Sequence, residues 1–341
     1  MHRNHLRKLR ALCVHSKLTL VTLLFVIDSF GALSARALTP AAGDIIVTFN
    51  YYTGSTLEPH VGDYTVSGAR AQTFDVPLAP DGTYEARDLV FGPGDAFYLY
   101  NGTFSPTLAR FDFGTSTWTS STFAGWSTVN NTTYGGLASS GQYVFASDMA
   151  TAPPGDPQGI VRFDTSGGPT VRFAQNIAPG DISLGADGIL YAIDRSSSPQ
   201  STVYKFDPNT FASLGTIPIT FDDNRAVAAL SDDSIFVATL AGVVTHYSAD
   251  GTVLKSLTVS GEHFSDIDIS PSGQIALGTS NEGDVVLTDI GLNTSTRFHV
   301  PTNLPTFVAW VVPEPSTGLL VVAGLLGLTG WRRARALARP V

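Results

Sequence analysis

One cysteine, Cys13, stands in 341 residues, and it lies close to the start of the chain. Without a second thiol, no intramolecular disulfide, cysteine metal knuckle or Cys-X-X-Cys redox pair can form. Charge is also sparse, at 14% of residues against the usual quarter. Of 20 basic and 29 acidic residues, six basic and one acidic precede Leu38, and four arginines follow Trp331. The body between keeps 10 basic against 28 acidic residues, a net charge of −18. Such a body repels phosphate backbones, which argues against nucleic acid as a partner. No G-x-S-x-G elbow is present, and "GPG" at 92–94 lacks the strand-to-helix setting of a phosphate loop. His60, His246, His263 and His299 are scattered without metal-ligand spacing. Nor does any long amphipathic helical pattern occur between the two ends.

What is there begins with those ends. A basic stretch, "MHRNHLRKLRALCVHSK", is followed by the apolar "LTLVTLLFVI" at 18–27 and by "ALSARA". Ala35 and Ala37 occupy the A-x-A positions, so 1–37 reads as a secretory signal peptide, helical in its apolar part and cut by signal peptidase after Ala37. Ten apolar residues are too few to span about 30 Å of hydrocarbon as an uncut anchor. Cys13 precedes the apolar run, the wrong order for a lipoprotein. At the other end, 317–331 is apolar and glycine-bearing and reads as a single short transmembrane helix. Arg332, Arg333 and Arg335 follow at once, and the positive-inside rule keeps them cytoplasmic, with everything upstream outside the inner membrane.

Val312-Pro313-Glu314-Pro315-Ser316, the short span and the basic tip together resemble the PEP-CTERM sorting signal of Gram-negative bacteria. The resemblance covers the last 30 residues, 312–341. It implies processing by an exosortase at or near Pro313, Glu314 and Pro315, transient anchoring in the inner membrane, and delivery to the cell surface or an exopolysaccharide matrix. Two prolines forbid helix and hold the chain extended, as a processing enzyme requires. The same tail is carried by unrelated passengers, so it gives an address and no activity.

Residues 38–311 form one domain by internal repetition. "DLVFGPGDAFY" (88–98), "YGGLASSGQYV" (134–144), "DISLGADGILY" (181–191), "VAALSDDSIFV" (227–237) and "DIDISPSGQIA" (266–276) each read as strand, tight turn, strand. In phase with them recur "ARFD" (109–112), "VRFD" (161–164), "YKFD" (204–207), "THYS" (245–248) and "VLTD" (286–289), each followed by turn residues and a further short strand. Four strands in roughly 45 residues is the size of a β-propeller blade. The "D-I-x-x-x-x-D-G-x-L-Y" text resembles NHL-type and YVTN-type propeller repeats. "DIIVTFN" (44–50), "GARAQTFDVP" (68–77) and "TFVAWV" (306–311) supply one more blade, shared by the two ends of the domain. The expected fold is therefore an all-β propeller of six blades, with seven as the alternative count and a two-sheet sandwich array as the structural rival.

Asp88, Asp181 and Asp266 hold one repeat position at the start of an inner strand, and a ring of carboxylates there is the candidate Ca²⁺ site. The alternative is that each accepts backbone N–H groups at a tight turn. Asp112, Asp164 and Asp207 also repeat and are expected to close the turn after the third strand. Asp266 and Asp268 share a strand face, and with "FDDN" (221–224) and "SDDS" (231–234) they read as solvated acids, since none has calcium-loop spacing. Trp118, Trp126, Tyr134 and Tyr143 read either as a sugar-stacking platform or as packing between blades. The leading expectation is a non-enzymatic surface or matrix protein with no cofactor, partnered by exopolysaccharide or another surface protein. The rivals are a polysaccharide hydrolase or lyase and a calcium-stabilised scaffold.

Overall fold

A computed structural model of the chain describes residues 39–53, 56–77, 86–92, 96–102, 107–121, 135–149, 158–195, 202–220, 223–280, 283–302 and 304–312. The signal segment and the transmembrane segment, with the helices expected there, lie outside them. Among the described residues every element is a strand, and no helix is long and apolar enough to cross a membrane.

Among the described residues twenty-four strands form six four-stranded antiparallel sheets. Five are consecutive meanders over 86–121, 137–173, 179–218, 224–258 and 264–299, numbered here blades 2 to 6. Blade 1 is shared: Ile45–Thr53, Thr56–Tyr64 and Arg70–Asp75 are completed at the centre by Phe307–Trp310. Ile45 lies opposite Trp310 and Thr48 opposite Phe307. Six blades and the shared closing sheet are thus as the repeats predict. The first hairpin of each repeat supplies the inner two strands of blades 2 to 6. The aromatic-Asp strands are the third of each blade.

Alternation along each strand explains the ring. On the second strand of blade 1, Ile46 packs with Phe97, Leu99 and Phe111 of blade 2, while Ile45 and Val47 face Ala276 and Val285 of blade 6. Each strand thereby serves two interfaces, and six apolar clusters, one per junction, close the circle. Trp118 belongs to the first of these, packed on Phe97 and Phe111 at ring centroids 5.3 and 5.1 Å apart. It is packing between blades, and Trp126 and Tyr134 lie outside the described residues. Tyr143 is covered by the Arg162 guanidinium, 4.2 Å above its ring.

Asp112, Asp164 and Asp207 do close the turn after the third strand. Asp112 accepts from Thr115 N at 2.9 Å, Asp164 from Ser166 N at 2.9 Å and Asp207 from Asn209 N at 2.8 Å. Hydrogen bonds to the charged form, for Asp164 first that from the Ser166 hydroxyl, hold all three carboxyls below the usual carboxylate range.

Candidate functional site

The six inner strands surround a central channel of about 330 Å³. Its wall carries Asp88, Asp181, Asp266 and Asp268 among apolar neighbours such as Ile182, Ile267 and Trp310. In blades 2, 4 and 6 the pairing of the inner strand with its neighbour slips at these aspartates, between Ala86 and Leu89, Pro179 and Asp181, and Phe264 and Asp266. Blade 5 slips at the same place, between Asn224 and Ala226, with no aspartate there. The bulge therefore belongs to the inner hairpin, and in blades 2, 4 and 6 the carboxylate beside it spans two blades.

Each carboxylate is consumed by backbone. Asp181 Oδ1 accepts from its neighbour Ile182 N at 2.8 Å, and Oδ2 accepts from Val227 N of blade 5 at 2.8 Å. Asp266 takes Ile267 N at 2.8 Å and Val308 N of blade 1 at 2.6 Å. Asp88 takes Leu89 N at 2.6 Å and Leu137 N of blade 3. A second rung lies two residues further along. Ser139 Oγ donates to Phe91 O at 2.5 Å, Ala229 N to Ser183 Oγ at 3.3 Å, and Trp310 N to Asp268 Oδ2 at 2.7 Å. The bonds join blades 2 and 3, 4 and 5, and 6 and 1, so this network has the symmetry of three blade pairs. The junction between blades 3 and 4 is closed differently. A Cβ on Gly136 would meet Asp181 and the Ile182 amide, so only glycine lets those strands approach.

The expected bonding to backbone amides is seen, but within the inner strands and not at a tight turn, and the second acceptor oxygen reaches the next blade. Asp268 corrects the expectation of a solvated acid: it lines the channel and bonds across the junction. The other acidic pairs are engaged too. Asp223 lies 2.8 Å from Arg225, and Asp233 accepts from Tyr191 Oη at 2.9 Å. Burial raises all four channel carboxyls, Asp88 and Asp181 well above the carboxylate range, with the charge of Asp266 adding to both. Asp266 is pushed up to about 7 and Asp268 to about 6, against the opposing effect of their amide donors.

As metal ligands the three repeat aspartates have both oxygens already bonded, and among the described residues no group of three His, Cys, Asp or Glu side chains is placed to hold an ion. The four histidines stay apart in the fold: His246 contacts Ser234, His263 contacts Leu240 O and His299 contacts Asp284. His60 lies against Tyr51 with ring planes 2° apart. Ala35, Ala37, Pro313, Glu314, Pro315, Arg332, Arg333 and Arg335 lie outside the described residues.

The chain leaves the propeller at the channel. Val311 is buried, its N–H donating to Asp44 O at 2.9 Å and its carbonyl accepting from Gly43 N at 3.1 Å. Val312 is half exposed and lines the channel mouth. Fold and exit together define a six-bladed β-propeller whose ring-closing strand runs directly into a C-terminal segment. That segment, residues 311–334, matches the PEP-CTERM protein-sorting motif. The motif implies exosortase-targeted export and surface delivery. No curated protein matches the chain. Among solved structures it is similar to the Dos1 propeller, at 14% identity and TM-score 0.46, covering 72% of this chain and 68% of that one. It is also similar to virginiamycin B lyase from Staphylococcus aureus, at 10% identity and TM-score 0.48, covering 74% and 85%. These likenesses concern the fold and carry nothing about activity.

Proposed function

We propose that the protein is a non-enzymatic component of the cell surface or extracellular matrix of a Gram-negative bacterium. It is exported, held briefly in the inner membrane by 317–331, and cut at Pro313-Glu314-Pro315 by an exosortase. The propeller then serves as a binding or spacing module for exopolysaccharide or another surface protein. The observation that carries the non-enzymatic part is that Asp88, Asp181 and Asp266 spend both oxygens on backbone amides. A general acid, base or nucleophile needs an oxygen free to reach substrate. Intact mass and C-terminal peptide analysis of protein from the native host test the processing. The expected chain begins near Leu38 and ends near the Pro-Glu-Pro site. A mass retaining "GLLVVAGLLGLTGWRRARALARPV" would overturn exosortase cleavage.

A hydrolase or lyase on the propeller is the second reading, and one observation favours it. Carboxyls raised toward neutral pH in a channel are the pattern of tuned acids. The test is incubation of the purified protein with the host's own exopolysaccharide. No new reducing ends and no unsaturated sugar are expected. Cleavage that disappears in Asp266→Asn would replace the first reading with this one.

A further inference from the structure

The two ends of the propeller meet at one point. Asp44 and Val311 exchange backbone bonds through Gly43 and Asp44, and Val312 sits at the channel mouth. Every inner strand of blades 2 to 6 runs toward this same face, where its first hairpin lies. The turns after the third strands also stand there, carrying Asp112, Asp164, Asp207, Asp250 and Asp289. Val312, the last described residue, therefore lies near the axis, and few residues separate it from the apolar run. Val312 is followed by Pro313-Glu314-Pro315-Ser316 and then Thr317, where the apolar run starts.

We infer that the uncut precursor stands with its channel mouth turned to the bilayer, its disc parallel to the membrane and its opposite face outward. This rests on the anchoring reading given above. Five residue steps reach at most roughly 17 Å, and headgroups take up about 6 Å of that. The remaining leash of about 11 Å is shorter than a blade is wide, since four strands at about 4.8 Å spacing give a disc radius near 20 Å. Turning the disc on edge would need a leash at least as long as that radius. A tether at the rim would let the disc swing outward, but a tether on the axis does not. Nothing in the acidic turns makes this face adhesive to an anionic bilayer, so the covalent leash alone sets the orientation and its cleavage ends it.

The chain from Leu38 to Val341, which contains no cysteine, is reconstituted in liposomes without exosortase and carries one fluorophore at either Ala249→Cys or Ser260→Cys. Both sites are exposed and lie at opposite ends of the outer strand Val253–Thr258 of blade 5. Lipids with spin labels in the headgroup should quench the Ala249→Cys probe several-fold more than the Ser260→Cys probe. Twelve Gly/Ser residues inserted between Val312 and Pro313 should bring the two probes to equal quenching. Equal quenching in the parent chain, or stronger quenching at position 260, overturns the orientation. A chain that fails to float with the liposomes removes the anchoring reading, and the orientation with it.

Discussion

Asp181→Ala should lower the melting temperature by about 6–12 °C, measured by calorimetry on the 38–312 body. The substitution strands two buried amides, Ile182 N and Val227 N, whose acceptor is lost. A hydrogen bond between neutral groups contributes roughly 0.5–1.5 kcal/mol, and each buried donor left without an acceptor costs roughly 1–3 kcal/mol. Against this, removing the Asp181 carboxyl relieves its crowding of Asp88 in the channel. The net loss is about 3 kcal/mol, which at 2–4 °C per kcal/mol for a domain of this size gives the stated shift. Asp181→Asn keeps one acceptor oxygen and should fall between parent and alanine variant. Asp250→Ala, in an exposed turn, should cost no more than about 1 kcal/mol. An unchanged or raised melting temperature in Asp181→Ala would show that the channel acids are not staples. The case for a channel that acts on a ligand would then be strong.

The repeat that reveals the blades also hides what its aspartates do. Alternating apolar residues and Gly/Asp/Ser turns specify hairpins locally, which is why five blades could be read directly and the sixth from the leftover strands. The partner of Asp181 is Val227, 46 residues away, and that of Asp266 is Val308, 42 residues away. Only the closed ring brings those amides to the carboxylates. The bulge at Asp181 and Asp266 has no residue signature either, so Asp268 looked like a solvated acid on a strand face. A different obstacle concealed the strand Thr56–Tyr64. Pro59 lies in its middle and has no N–H for a ladder bond, yet its carbonyl accepts from Val76 N at 3.4 Å and Asn50 lies opposite it. The pairing on either side tolerates the missing donor. The processing residues were legible for the opposite reason, because a sorting segment is read as linear sequence and needs no tertiary partner.

The channel carboxyls also fix how stability should depend on pH. Asp88, Asp181, Asp266 and Asp268 all have folded-state pKa values above the ordinary carboxylate value, Asp266 at about 7 and Asp268 at about 6. Between pH 4 and those values the native state binds more protons than the unfolded chain. Stability must therefore fall as pH rises through that window, and the loss is complete once the native carboxyls have ionised. His246 works the other way. Burial lowers its pKa, so the unfolded chain takes up its proton more readily and stability drops as pH falls below about 6.5. Below pH 4 the turn aspartates Asp112, Asp164, Asp207 and Asp250, all lowered, lose their amide bonds on protonation. Four raised carboxyls against one lowered histidine leave the optimum near pH 5. One pKa unit corresponds to 1.36 kcal/mol, so Asp266 and Asp268, ionising at about 7 and about 6, together lose on the order of 4 kcal/mol between pH 5 and pH 8, partly offset by His246. The melting temperature should be about 5–10 °C higher at pH 5 than at pH 8. Asp268→Asn, which cannot titrate but keeps an acceptor for Trp310 N, should flatten the decline between pH 5 and 7. A melting temperature that climbs from pH 5 to pH 8 would mean the carboxyls are ionised throughout, held so by their amide donors, and the channel would carry a full ring of negative charge at neutral pH.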